Sequence, residues 1–87
     1  MITGEKLNVY KYFNGDIDGL ARAGTAEQKA LIKDKDWFTI DSLVQDIEMV
    51  KRGLAGEAYM NVINERLLEC CDREETIEEL KKIARDA

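Results

Sequence analysis

The chain has 87 residues, of which 18 are acidic, 13 basic and none histidine, for a net charge of -5, with 45% hydrophobic and 36% charged residues. This composition excludes a disordered tail, and the length leads us to expect one domain over 1–87 that buries roughly 60 to 65% of its unfolded surface. The acidic balance disfavours nucleic acid and anionic membranes as partners, and without histidine the commonest general base and the usual zinc ligand sets are missing.

Proline is absent, so the six glycines punctuate the chain. Behind Thr3 as a cap, residues 4–13 carry Leu7, Val9, Tyr10 and Phe13 at helical spacing, and Asn14-Gly15 supplies left-handed residues that end a helix. A short helical segment over 17–23 closes at Gly24. Thr25-Ala26-Glu27-Gln28 forms a capping box that opens a helix to about Lys33, with Ala30, Leu31 and Ile32 available to bury.

The clearest periodicity follows. Ile40, Leu43, Val44, Ile47, Val50 and Leu54 recur at three and four, which predicts an amphipathic helix over about 37–52. Gly53 is placed to terminate it, with Leu54 folding back as in a Schellman ending. Over 55–71, Tyr59, Val62, Ile63, Leu67, Cys70 and Cys71 cover nearly half a helix circumference, more than one neighbour buries, so this segment is expected to be the central helix. Asp72, with Glu75 three residues on, reads as the cap of a last helix bearing Ile77, Leu80, Ile83 and Ala84 and ending near Arg85. Its early acids Glu74 and Glu75 and late bases Lys81, Lys82 and Arg85 suit the helix dipole. Connections this short give the expected fold class: all-α, a compact bundle of four main helices plus one or two short helices.

Three motifs bear on function. Asn14, Asp16 and Asp18 with Gly19 match the first half of a calcium loop, but the twelfth position is Thr25 where a bidentate Glu is required. Asp16 is therefore expected to cap the following helix, and no metal is expected. The segment 17–33 resembles a helix-turn-helix, with Arg22, Lys29 and Lys33 as its bases, but its small residue and turn glycine are three apart instead of four. No nucleophile elbow, phosphate loop or HExxH motif is present, so no catalytic residue, no cofactor and no enzymatic activity are expected.

Adjacent Cys70 and Cys71 are too close to join to each other without strain and are expected as reduced thiols. Tyr10 and Tyr12 cannot both face the core. Arg66 falls within the apolar arc of its helix, with Asp41 or Glu69 as the carboxylate expected to meet it if it is buried. Phe38 and Met49 fall on the outward side of the fourth segment and are the candidate partner-binding residues, with Ser42 and Gln45 between them. No stretch reaches the roughly 18 to 20 apolar residues of a membrane span, and the N-terminus lacks a signal-peptide layout, so a cytoplasmic location is expected. The favoured reading is a small helical protein-interaction or regulatory module, taking a protein partner or a second copy of itself that covers the surplus apolar arc of the central helix. The alternatives are a helix-turn-helix-type nucleic-acid binder and an acidic immunity-like or inhibitor protein.

Overall fold

A computed structural model describes residues 1–84. Six helices follow one another: α1 Gly4–Tyr12, α2 Ile17–Ala23, α3 Ala26–Leu31, α4 Asp34–Lys51, α5 Glu57–Cys70 and α6 Glu74–Ile83. The all-α class is as the periodicities predict, and the only strand-like pairing among the described residues is an isolated parallel bridge between Ile2 and Cys71. Arg85, expected near the end of the last helix, lies outside the described residues.

The N-termini of the first three helices are settled locally. Thr3 accepts from the Lys6 amide, Asp16 from the Asp18 amide at 3.1 Å, and Thr25 and Gln28 exchange both bonds of a capping box at 2.9 and 3.1 Å. Asn14 and Gly15 take φ of 51° and 75°, the left-handed turn that separates α1 from α2. α3 is shorter than expected and buries nothing; the chain leaves helical geometry at Ile32, whose side chain is buried instead. α4 begins three residues before the apolar stripe suggests, because Asp36 accepts from the Lys33 amide at 3.2 Å and so caps a polar first turn. At its other end the Gly53 amide donates to Val50 and the Leu54 amide to Met49 at 2.9 Å, with Gly53 at φ 76°, which is the Schellman ending.

One contiguous core joins the elements. Trp37, Ile40, Leu43 and Ile47 of α4, Ile63 and Leu67 of α5, Leu80 of α6, Leu7 of α1 and the N-terminal Ile2 are each at most 1% exposed. The central helix is α4, not α5 as the sequence suggests. α4 packs against α1, α5 and α6, whereas α5 meets only α4 and α6 to any extent. The shortest dimension of the molecule is 18 Å, room for two layers of helices about 8 to 10 Å apart. A helix at the edge of such an arrangement turns one side to water, however apolar that side is.

α6 is also started differently from expectation. Asp72 does not cap it: its carboxylate accepts from the Thr76 hydroxyl, and its amide donates to Ile2 at 3.0 Å. Arg73 stands at the N-cap position without a side-chain capping bond, its guanidinium 3.4 Å from the Asp72 carboxylate. Together with the Ile2 amide donating to the Cys70 carbonyl at 2.7 Å, this clip draws Cys71 out of α5 and ties the N-terminal segment to the α5–α6 connection.

Candidate functional site

Each residue singled out from the sequence has a definite place. Asp16 has one carboxylate oxygen committed to its cap, and Asp18 is exposed in the first turn of α2, where negative charge suits the helix dipole. Among the described residues no group of three or more His, Cys, Asp or Glu side chains is arranged to hold a metal ion. Cys70 is half-buried at the end of α5, and Cys71 is buried just beyond it; burial, then neighbouring Cys70 and Asp72, push the Cys71 thiol up to about 11. That favours the neutral thiol over the nucleophilic thiolate. Of the two tyrosines on α1, Tyr12 is exposed and Tyr10 buried, its ring centroid 4.9 Å from that of Trp37.

A groove of about 550 Å³ separates α1 from α4, lined by Tyr10, Lys11, Asp41, Gln45, Glu48 and Arg52 among others. Three of its polar groups are bonded to one another, and a fourth reaches out to α6. Tyr10 donates to Asp41 at 2.7 Å, Gln45 donates to the other oxygen of Asp41 at 3.1 Å, and Lys11 lies 3.7 Å from Glu79. Burial, then the Asp41 hydrogen bond, push the Tyr10 hydroxyl far above the ordinary tyrosine range, so it stays a proton-bearing donor. The groove is a braced seam between two helices.

The surface that does not close on itself is the outer side of the α4–α5 hairpin. Arg66 reaches Asp46 on α4 at 2.7 Å, and not the Asp41 or Glu69 expected from sequence. Asp41 lies on the α1 side of α4, where Tyr10 occupies it; Asp46 lies on the α5 side. The bridge marks the antiparallel register that core packing gives the two helices across the 52–56 connection. Val62, four residues before Arg66, and Met49, three after Asp46, each lie one turn from the bridge toward the connecting loop. Val62 is thus level with Met49 and Val50, with Tyr59 one further turn along α5 and Leu54 held back against the Met49 carbonyl.

All four are solvent-exposed: Met49 42%, Leu54 69%, Tyr59 36% and Val62 49%. Phe38, at 58%, lies about three turns away on the same side of α4, past exposed Ser42 and Gln45. Trp37 takes the inward position at the start of α4 and leaves Phe38 outside. The two sequence candidates are therefore both at the surface, at opposite ends of one helix face. The sequence did not single out Leu54, Tyr59 or Val62 as site residues: it had Leu54 folding back at the helix end and Tyr59 and Val62 in an arc too wide for one neighbour, whose excess width was the signal available.

No protein-family model, curated protein or solved structure matches this chain. The functional reading therefore rests on the residues themselves. No helix among the described residues is long and apolar enough to cross a membrane.

Proposed function

We propose that the protein is a small helical interaction module, without catalytic chemistry of its own, that acts in the cytoplasm and engages a protein partner through the outer side of the α4–α5 hairpin. The observation that carries this reading is the group of exposed apolar residues, Met49, Leu54, Tyr59 and Val62, gathered at the closed end of the hairpin beside a core that is otherwise complete. Singly exposed apolar side chains are ordinary on any surface; four on adjoining turns of a rigid hairpin form a patch of the kind that partners cover. The hairpin is also tied on both sides of the patch, by the Schellman ending at one end and the Arg66–Asp46 bridge at the other. Nucleic-acid binding through α2 and α3 is less well supported: α3 has six residues, about 9 Å of helix, short for reading a major groove.

The test is affinity capture from host lysate with the wild-type protein, a Met49→Lys/Val62→Lys variant and a Leu68→Lys control, after circular dichroism has verified that all three fold. Leu68 is 67% exposed and stands about 120° round α5 from Val62 and about 180° from Tyr59, away from the apolar part of the patch. A species captured stoichiometrically by wild type and control and lost from the double variant supports the reading. Capture that is indifferent to Met49→Lys/Val62→Lys counts against it.

A further inference from the structure

We propose that the occupant of the α4–α5 face is a basic amphipathic segment of another protein, its apolar side chains on Met49, Val62 and Tyr59 and its Lys or Arg side chains on Glu65 and Glu69. This rests on the interaction reading above and adds the chemistry of the partner.

The charges around the patch carry the inference. Residues 34–70 hold eight acids and four bases, a net of -4. On α5, Tyr59, Val62, Glu65 and Glu69 follow one another at three and four along one side, so the apolar patch runs directly into two carboxylates. Glu65 and Glu69 are exposed, and neither is held in an ion pair. Of the hairpin's bases, only Arg66 lies on this face, one turn from Val62 and from Glu69. Arg66 is taken by Asp46, Lys51 donates to the Lys81 and Ala84 carbonyls of the α6 end, Arg52 lines the α1–α4 groove, and Lys35 is in the first turn of α4, beyond Phe38.

The patch is therefore apolar with an acidic edge, and its one cation, Arg66, is already paired with Asp46. A second copy would bring the same acidic edge and no uncommitted cation to meet Glu65 and Glu69, so it leaves their charge uncompensated. A partner that supplies cations beside apolar anchors satisfies both parts of the surface at once. The long side of the face also suits a helix: Phe38 and Met49 are eleven residues apart on α4, about 16 Å along its axis, the span of roughly three turns.

The experiment uses the full chain and two fluorescein-labelled 18-residue model peptides, helical and alike in a leucine face. One carries lysine and the other glutamate on the polar face. Anisotropy titrations at about 50 mM salt, where the Debye length exceeds 10 Å, are repeated at about 300 mM. The lysine peptide is expected to bind and the glutamate peptide to fail. Glu65→Gln/Glu69→Gln should weaken the lysine peptide by about five-fold, the size of two partly screened ion pairs. A Glu27→Gln/Glu78→Gln variant, which changes net charge equally at exposed positions away from the face, should change it less than two-fold. Met49→Lys/Val62→Lys should abolish binding. Equal weakening by the two glutamine variants, or equal binding of both peptides, overturns the proposal. Absence of peptide binding together with a concentration-dependent dimer broken by Met49→Lys/Val62→Lys also overturns it, yet leaves the interaction reading standing with a second copy as occupant. A monomer that binds neither peptide at this face overturns the proposed partner, and lysate capture then decides the wider reading separately.

Discussion

Replacing Tyr10 by Phe deletes one oxygen and leaves the ring that packs on Trp37, so it isolates the bond that braces α1 against α4. The hydroxyl donates to Asp41 at 2.7 Å from a residue that is 5% exposed. Hydrogen bonds to charged acceptors contribute about 1.5 to 3 kcal/mol net. The lower end applies here, because Asp41 is only half-buried, keeps its bond from Gln45 at 3.1 Å and opens onto the α1–α4 groove, where water can replace the lost donor. The expected cost is about 1.5 kcal/mol, which for a domain of this size lowers Tm by about 9 °C. Urea unfolding followed by the fluorescence of Trp37, the only tryptophan, reads this directly because its ring lies 4.9 Å from that of Tyr10. Tyr12→Phe, at an exposed ring, should cost less than about 0.3 kcal/mol, the usual range for a surface change. A double-mutant cycle with Asp41→Ala should give a coupling of about 1 kcal/mol. Tyr10→Phe as harmless as Tyr12→Phe would falsify the assignment of this bond as a brace.

Other expectations concern the turn, the titrating groups and the thiols. Gly53→Ala forces a side chain into φ 76° and should cost about 1 kcal/mol although no neighbour crowds the new methyl, measured as a lower urea midpoint with unchanged slope. On the alkaline side, groups whose folded pKa lies above the unfolded value hold full stability below the unfolded pKa and lose it as pH rises. Cys71 therefore erodes stability from about pH 8.5 toward its raised value of about 11, and Tyr10 from about pH 10 upward, each by at most about 1.4 kcal/mol per pH unit. Tyr10→Phe should flatten the second part of that decline. On the acid side, the Thr76 hydroxyl holds the Asp72 carboxyl below the usual range. Burial pushes Asp36 up, but the Lys33 amide and the Lys6 ammonium at 3.1 Å outweigh it and hold that carboxyl low as well. Their contribution is present above about pH 4 and lost as pH falls below it, so urea midpoints should drop between pH 5 and pH 3, and less steeply in Asp36→Asn. Iodoacetamide at pH 8 should label half-buried Cys70 well before Cys71, and equal labelling by mass spectrometry contradicts the burial of Cys71.

What was legible in the sequence was local. The caps at Thr3, Asp16 and Thr25 and the Schellman ending at Gly53 depend on residues within a few positions of each other, and sequence shows them directly. The calcium-like alternation at Asn14, Asp16 and Asp18 has a local explanation too, a left-handed turn followed by a cap. What depended on partners distant in the chain was not legible. Asp72 looks like a helix cap until Ile2 takes its amide and Thr76 its carboxylate. Arg66 selects Asp46 only because the hairpin register brings it there.

The same limit explains the exchange of α4 and α5. The breadth of an apolar arc measures how much surface a helix has to bury, whereas its position is set by how many neighbours reach it. α4 has the narrower stripe and three neighbours; α5 has the broader arc and an edge position, so Tyr59 and Val62 remain in water. These residues are the surplus of the arc, and they define the candidate face. Phe38 and Met49 were found from the outward side of α4, but the group closest to Met49 lies on the helix that sequence had placed inside.

The most direct measurement is site-specific photo-crosslinking in the host cell, with p-benzoylphenylalanine in place of Val62 and, separately, of Leu68 and Tyr12, all exposed side chains. A discrete covalent adduct at position 62 that is absent at 68 and 12, and lost when Met49→Lys is added, is the result expected of a partner seated on the α4–α5 face. Adducts at 68 or 12 with none at 62 would place any partner elsewhere and contradict the assignment.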